Sequence, residues 1–219
     1  MQQDTVIVVA GGSPPFECEP VRLPEGATVI AADGGVDRAL ALGLHVDLAI
    51  GDFDSVTPAG LAAAEAAGAR VERHPASKDA TDLELALDAA IALGPARIVV
   101  VGSGGGRLDH LLGSVLLLAD KRYAAAEIDT YLGDAQAHLI RDSRTLTGAP
   151  GDLLSLLPVH GAAEGVTTEG LEYPLRGETL PPGTSRGISN VFSASEARIT
   201  VQRGCLLAVR PASERRESR

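Results

Sequence analysis

Short apolar segments alternate with helix-forming segments through the first half of the chain, and this alternation constrains the fold more than any other feature. The apolar segments are Val6–Ala10, Thr28–Ala32, Leu48–Ile50 and Ile98–Val101, with Arg70–Arg73 as a further short strand. Near-continuous apolar strands that alternate with helices are typical of α/β proteins. The pattern therefore predicts an α/β domain with a mostly parallel sheet and helices on both faces.

The helices predicted between these strands carry recognisable start and stop signals. Asp79 is expected to cap one of them, because Asp82 follows three residues later, as in a capping box. The same helix is expected to stop at Gly94-Pro95. The predicted helices are Val36–Leu42, Pro58–Ala67, Thr81–Leu93 and Leu108–Lys121.

The helical pattern stops after about Gly133, where short β-type runs broken by Gly and Pro replace it. These runs predict a smaller all-β sandwich domain, in which the last two strands form a hairpin that turns at Arg203-Gly204. We place the α/β domain over residues 1–133, the β-sandwich over 134–211 and a frayed polar tail over 212–219. The strands predicted in this part are Leu153–Leu157, Gly165–Thr168, Leu171–Leu175, Ile199–Val201 and Cys205–Val209.

The charge balance restricts the possible partners. Nineteen basic and twenty-nine acidic side chains give a net charge of −10, which disfavours binding to nucleic acid because that needs a basic face. The start of the chain lacks a basic n-region, and no segment approaches the roughly 20 apolar residues of a membrane span. Two distant cysteines give no support for structural zinc. We expect a cytoplasmic protein without membrane contact.

Two carboxylates follow the third predicted strand, in the segment Gly51-Asp52-Phe53-Asp54-Ser55. Side chains two residues apart on an extended backbone point the same way, so Asp52 and Asp54 would repel each other unless a cation offset their charge. Mg²⁺, held by one or two carboxylates and substrate phosphates, is the usual solution. A solvated Asp-rich turn is the alternative that this segment leaves open.

Two further loops are expected at the same edge, where open α/β sheets bind ligands. Asp33-Gly34-Gly35 follows the second strand, and its glycines let the backbone approach a ligand, although the same residues also make a tight turn. Lys78, Asp79, Thr81 and Asp82 precede a helix. They could hold a cation and a phosphate, or only cap the helix.

A glycine-rich loop, Gly102–His110, joins the strand at Ile98–Val101 to the following helix. The exposed N–H groups of such a loop and a helix N-terminus attract anions, and Arg107 adds a forked donor for phosphate oxygens. The loop matches neither a Walker A motif nor the GxGxxG dinucleotide spacing. Carboxylates that face phosphates require metal between them, so the whole set indicates phosphoryl-type transfer.

These motifs resemble those of the thiamine pyrophosphokinase family, in order along nearly the whole chain. The matching segments are Ala32–Gly35, Gly51–Ser55, Lys78–Asp79, Thr81–Asp82, Gly105–His110, Ser155–Pro158, Gly170–Tyr173 and Gly187–Asn190. The resemblance implies that ATP donates a pyrophosphoryl group to the thiamine hydroxyl, giving thiamine diphosphate and AMP. It also implies a need for Mg²⁺ and a homodimer with thiamine held at the dimer interface.

The resemblance also implies roles for individual residues and for the two domains. Residues 1–133 would bind nucleotide and metal, and residues 134–211 would bind thiamine. Relatives often carry Trp where Tyr173 stands, so stacking on thiamine stays open. The implied catalytic residues are Asp54 and Asp82, and the implied metal ligands are Asp52, Asp54, Asp79 and Asp82. The residues implied to bind ATP and its phosphates are Asp33, Gly34, Lys78, Thr81, Gly105, Arg107 and Asp109. The residues implied to bind thiamine are Tyr173, Ser189 and Asn190.

Three other functions remain as alternatives. A related pyrophosphokinase could act on another hydroxymethyl heterocycle, such as a pterin or a pyrimidine. A Mg²⁺-dependent phosphohydrolase could use the first Asp of Asp-x-Asp as its nucleophile, although the glycine-rich loop and the β domain fit this poorly. A binding protein that has lost catalysis is the third, and the intact set of carboxylates counts against it.

Overall fold

The computed structural model describes residues 4–12, 23–77, 79–102, 107–133 and 135–211. Contacts within the chain divide these residues into two units. The first unit contains the described residues up to Leu117 and the segment Ala125–Gly133. The second unit contains Leu118–Ala124 and the described residues from 135 onwards. Lys78, Gly105 and the predicted tail lie outside the described residues. Within the described ranges, no helix is long and apolar enough to cross a membrane.

Parallel strands form the sheet of the first unit, in the order β4-β3-β2-β1-β5-β6. Each neighbouring pair in this series is parallel. The chain order reverses between β1 and β5, which makes this the switch point of the sheet, and ligands bind at the carboxyl edge near such a point. The strands are β1 (Thr5–Ala10), β2 (Thr28–Ala32), β3 (Leu48–Gly51), β4 (Arg70–Arg73), β5 (Arg97–Gly102) and β6 (Glu127–Leu132).

In the part of the chain that the structure describes, four α-helices connect these strands. Thr57 caps α2, because its side-chain oxygen accepts a hydrogen bond from the N–H of Gly60, and Thr81 caps α3 in the same way. Asp79 is therefore not the cap that the sequence predicted, since the threonine next to the helix takes that place. The helices are α1 (Gly35–Ala41), α2 (Pro58–Ala66), α3 (Asp82–Ala92) and α4 (Leu108–Leu118).

Apolar side chains from both faces of the parallel strands are buried. Ile7, Val9, Val29 and Ala31 alternate along β1 and β2 and share one core cluster with side chains of α1 and α2. The intervening residues, such as Val8 and Ile30, are buried as well. Burial on both faces explains why these strands are apolar without interruption.

The second unit is built from antiparallel strands around the long strand β9. β9 pairs with β10, β11, β12 and β13, while β7 pairs with β13 and β8 with β12. Leu154, Leu156, Val166, Phe192 and Ile199 belong to its buried core. The strands are β7 (Ala135–Ile140), β8 (Ser143–Thr147), β9 (Leu153–Glu169), β10 (Arg176–Leu180), β11 (Asn190–Val191), β12 (Glu196–Thr200) and β13 (Arg203–Arg210).

The strand predictions for this unit were wrong in three respects. The runs Leu153–Leu157 and Gly165–Thr168 belong to one strand, because Gly161 between them lies at an irregular pairing with β13 rather than at the strand end. Leu171–Leu175 is not a strand and contributes one isolated bridge, between Leu171 and Phe192. The predicted terminal hairpin does not form, since β9 lies between β12 and β13 in the strand order and pairs with both.

The predicted class, an α/β unit followed by a β unit, is confirmed. The description "mostly parallel" holds for the first unit but not for the described chain as a whole. Five strand pairs are parallel and six are antiparallel. The pairing is therefore mixed, because the six antiparallel pairings belong to the second unit and the five parallel pairings to the first. That its sheets form a sandwich stays a prediction.

Candidate active site

Three carboxylates converge at the carboxyl edge of β2 and β3. Oxygen atoms of Asp33, Asp52 and Asp82 lie within 4.8 Å of one another, and all three side chains are half-buried. We call these residues the acidic cluster. Like charges this close disfavour one another, and a hard divalent cation with oxygen ligands would offset their charge. The sequence placed Asp52 and Asp82 in a metal group but assigned Asp33 to phosphate.

Local backbone geometry places Asp33 in the cluster. Its N–H donates to the carbonyl of Ile50 at 3.0 Å, which ties the end of β2 to β3, and its carbonyl accepts from the N–H of Val36 at the start of α1. Asp33 adopts a φ of 47°, which is uncommon for a residue other than glycine. Backbone strain of this kind is found where a site needs a side chain in a fixed direction.

Gly51 allows two of the carboxylates to approach each other. A Cβ atom at this position would lie 3.0 Å from Oδ1 of Asp82 and 3.2 Å from Cβ of Asp33, and the φ of Gly51 is 148°. A larger residue would therefore displace the cluster and strain the backbone. The glycine that precedes Asp52 is the sequence signal for this close packing.

Asp54 lies outside the acidic cluster and is exposed. Phe53 has a φ of 61°, so the backbone after β3 is not extended, and the argument that Asp52 and Asp54 point the same way is wrong. The Asp54 carboxylate accepts a hydrogen bond from the Ser55 hydroxyl at 2.7 Å. Its own N–H donates to Oδ1 of Asp52 at 3.3 Å. Asp79 is likewise exposed and outside the cluster.

Arg107 and Asp109 form a two-pronged ion pair at the start of α4. Nε of Arg107 donates to Oδ1 of Asp109 at 3.2 Å, and Nη2 donates to Oδ2 at 2.6 Å. The hydrogen bonds from Arg107 lower the pKa of Asp109 to about 2, helped by the backbone N–H of His110. The same contact raises the pKa of Arg107. A phosphate that reaches this guanidinium must share it with Asp109.

Asn190 of the second unit is 3% exposed and holds the backbone around Tyr173. Its side-chain oxygen accepts hydrogen bonds from the N–H groups of Tyr173 at 3.0 Å and Val191 at 2.9 Å. Its amide nitrogen donates to the carbonyl of Tyr173 at 2.7 Å. We call these contacts the Asn190 network. The Tyr173 ring, by contrast, is 53% exposed, so the network fixes the backbone and leaves the ring accessible.

The segment before Asn190 packs tightly against β9. The carbonyl of Gly187 accepts a hydrogen bond from the N–H of Leu156 at 2.8 Å, and a Cβ at Gly187 would lie 2.2 Å from the Leu156 carbonyl oxygen. Ser189 has a φ of 54°, and its N–H donates to the Ser155 hydroxyl at 3.0 Å. The structure therefore brings Ser189 and Asn190 together with Tyr173, as one group of the second unit.

Fold and site together define a class of protein: an α/β unit that gathers carboxylates at the ligand edge of its sheet, joined to a β unit. Comparison with known proteins narrows this class. Residues 23–131 match the thiamin pyrophosphokinase catalytic domain, and residues 138–206 match the thiamin pyrophosphokinase vitamin B1 binding domain. The chain is 30% identical over 217 residues to thiamine pyrophosphokinase of Bacillus subtilis (strain 168), which covers 94% of this chain and 98% of that relative. The chain belongs to the thiamine pyrophosphokinase family.

Solved structures of relatives agree with this assignment. The Bacillus subtilis thiamine pyrophosphokinase superimposes with a TM-score of 0.83 at 28% identity, covering 95% of this chain and 99% of that one. The Geobacillus thermodenitrificans thiamin pyrophosphokinase superimposes with a TM-score of 0.79 at 27% identity, covering 96% of this chain and 99% of that one. A Candida albicans thiamin pyrophosphokinase superimposes with a TM-score of 0.73 at 14% identity, covering 95% of this chain and 89% of that one. This likeness concerns the fold alone.

Proposed function

We propose that this protein transfers the β,γ-pyrophosphoryl group of ATP to the hydroxyl of thiamine. The observation that carries the proposal is the convergence of Asp33, Asp52 and Asp82 at the ligand edge of the α/β unit, in a chain of this family. In the transfer, a bond forms between the hydroxyl oxygen and the β-phosphorus. The bond from the β-phosphorus to the oxygen that bridges it to the α-phosphorus breaks, so AMP leaves and thiamine diphosphate remains.

The acidic cluster fits a magnesium ion. Its ligands are carboxylate oxygens, which Mg²⁺ prefers, and their number leaves room for phosphate oxygens and water. Asp33, Asp52 and Asp82 would hold the ion, with Asp79 as the further ligand expected from the sequence. Asp54, which the resemblance also assigned to the metal, is proposed as the base instead. Mg²⁺ in this position would neutralise and orient the triphosphate. Gly34, Thr81 and Arg107 are proposed to contact the triphosphate, together with Lys78 and Gly105. Asp109 would take part by positioning Arg107.

We assign the hydroxyl proton to Asp54 rather than to Asp82. Both residues are candidates for the base, but Asp82 belongs to the cluster that would hold the cation, and a carboxylate that binds a cation accepts a proton less readily. Asp54 is exposed at the same edge and outside the cluster. Positioning and charge neutralisation are expected to supply most of the rate, and proton transfer a smaller share.

The β domain, residues 134–211, is proposed to bind thiamine through Tyr173 and Ser189. Asn190 would act indirectly, because its side-chain oxygen is engaged by two backbone N–H groups and its amide nitrogen by the Tyr173 carbonyl. The exposed Tyr173 ring offers a flat apolar face for a heterocycle. We further propose a β-sandwich arrangement for this domain, a homodimer, and a cytoplasmic location.

The direct test measures AMP released from ATP and Mg²⁺, with and without thiamine, by the wild type, Asp52→Asn and Asp54→Asn. We expect thiamine-dependent AMP from the wild type. Asp52→Asn should reduce the rate at least about 100-fold, since ligand changes in such sites cost that much or more. Asp54→Asn should reduce it less and leave the dependence on Mg²⁺ unaltered.

Other products would point to other functions. Phosphate and ADP formed without thiamine would indicate a phosphohydrolase, and an acid-labile aspartyl-phosphate would locate its nucleophile. Turnover with a hydroxymethyl pterin or pyrimidine, but not with thiamine, would keep the site and change the substrate.

A further inference from the structure

The loop that carries Asp52 and Asp54 is attached by two carboxylates, one in the turn before α1 and one on α1 itself. This loop, residues 52–57, connects β3 to α2. Oδ1 of Asp33 accepts a hydrogen bond from the N–H of Ser55 at 3.3 Å. Asp37, one turn further along the chain, accepts two hydrogen bonds from Thr57, one from its N–H and one from its hydroxyl, both at 2.7 Å. Asp33 is part of the acidic cluster, whereas Asp37 belongs to no motif that the sequence singled out.

The contact between Asp37 and Thr57 is well defined geometrically. Both oxygens of Asp37 are used, and its two hydrogen bonds are short, as expected for bonds to a charged acceptor. The Thr57 hydroxyl donates to Asp37 and accepts from the N–H of Gly60 at 3.0 Å, so its orientation is fixed. A Cβ at Gly60 would lie 1.8 Å from Oδ1 of Asp37, which explains the glycine at that position.

The 52–57 loop needs such an attachment because its backbone is strained. Phe53 has a φ of 61°, and a residue in this region persists only where its surroundings hold it. At the start of the loop, the N–H of His74 donates to the carbonyl of Gly51 at 2.9 Å, and the guanidinium of Arg73 lies 5.0 Å from the centre of the Phe53 ring. At the far end, Asp37 fixes Thr57.

We propose that Asp37 is a positioning residue, which fixes the 52–57 loop on α1 and thereby sets the Asp52 and Asp54 carboxylates for the pyrophosphoryl transfer proposed above. Asp37 acts through Thr57 and does not belong to the acidic cluster. Without it the loop relaxes at Phe53, and the cluster loses the geometry that binds a cation. A displacement of about 1 Å at reacting groups can cost roughly 100-fold in rate.

The test compares Asp37→Asn, Thr57→Val and Thr57→Ser. In Asp37→Asn, a single amide oxygen replaces the two carboxylate oxygens that each accept a hydrogen bond from Thr57. In Thr57→Val, the side-chain hydroxyl is removed while the backbone N–H is kept. Serine keeps both donors. Asp47→Asn is the matched control, because Oδ2 of Asp47 also accepts a backbone N–H, from Val29 at 2.8 Å, but at the opposite end of β3.

Two quantities are measured on each variant: the dissociation constant for Mg²⁺ by calorimetry, without nucleotide, and kcat and KM for thiamine-dependent AMP release. We expect Asp37→Asn and Thr57→Val to weaken Mg²⁺ binding and to lower kcat, each by about tenfold or more, with KM for thiamine little changed. Thr57→Ser and Asp47→Asn should match the wild type. Thr57→Val also serves as the second test if Asp37→Asn does not fold.

Each outcome decides one proposal or the other. Wild-type Mg²⁺ affinity and wild-type kcat in folded Asp37→Asn and Thr57→Val would overturn the role of Asp37. An equal loss in the Asp47→Asn control would also overturn it, because the effect would then follow from general destabilisation. If the wild type releases no AMP with thiamine, the proposed function fails. The role of Asp37 is then judged on the calorimetric Mg²⁺ constants.

Discussion

The acidic cluster of the first unit and the Asn190 network of the second are both built from short polar motifs, yet they do opposite things. In the acidic cluster, three half-buried carboxylates face one another within 4.8 Å, an arrangement that costs folding free energy until a cation binds. In the Asn190 network, a buried amide satisfies three backbone groups, which stabilises the fold. Polar residues in a motif can thus serve a ligand or the chain itself, and stability measurements separate the two roles.

The largest effect on stability is expected at Asn190. Asn190→Ala removes the partners of two backbone N–H groups and one carbonyl in a buried place, and each unsatisfied group costs about 1–3 kcal/mol. We expect the free energy of unfolding to fall by about 3 kcal/mol, measured by urea denaturation. Tyr173→Phe is the control, because it changes only the exposed end of the ring. A loss below about 1 kcal/mol would show that the network does not hold the Tyr173 segment.

A smaller effect of opposite sign is expected at Asp52. Asn in this position keeps an oxygen that accepts from the N–H of Asp54, but it removes one of three like charges. Without Mg²⁺, the free energy of unfolding should stay constant or rise by up to about 1 kcal/mol, although activity is lost. Added Mg²⁺ should stabilise the wild type more than Asp52→Asn, since only a state that binds the ion gains from it. A clear loss of stability in the variant without Mg²⁺ would instead make Asp52 a structural residue like Asn190.

The smallest effect is expected at the exposed pair of Arg107 and Asp109. The pKa of Asp109 in the folded protein is about 2, below its ordinary value of 3.8. A lowered pKa means that the pair stabilises the fold above the ordinary pKa and that this contribution is lost as the pH falls from about 4 towards about 2. NMR titration of the Asp109 carboxyl should give the low value in the wild type. In Arg107→Gln the pKa should move back towards 3.8; an unchanged value would mean that Arg107 is not the cause.

Much of the first unit could be predicted because its signals are local. The strand Thr28–Ala32 lies where the sequence predicted it, since apolar runs and their flanking glycines act over a few residues. The short strand Arg70–Arg73 was also predicted correctly. The strand pairings of the second unit could not be predicted, because β9 lies between β12 and β13. Pairing between segments that are distant along the chain has no signal in the local sequence. The same limit applies to Asp37, which meets Thr57 across 20 residues of chain.

The sequence by itself determined the two-part architecture and the set of polar motifs, together with the family to which they belong. The tertiary structure decided which of those residues meet: Asp33 rather than Asp54 completes the acidic cluster, and Asn190 holds the Tyr173 backbone. The physical reason is backbone geometry at single residues. The positive φ angles of Asp33, Phe53 and Ser189 redirect the chain within these motifs, including the Asp52–Asp54 segment that the sequence predicted to be extended. Such angles persist only because distant contacts hold them.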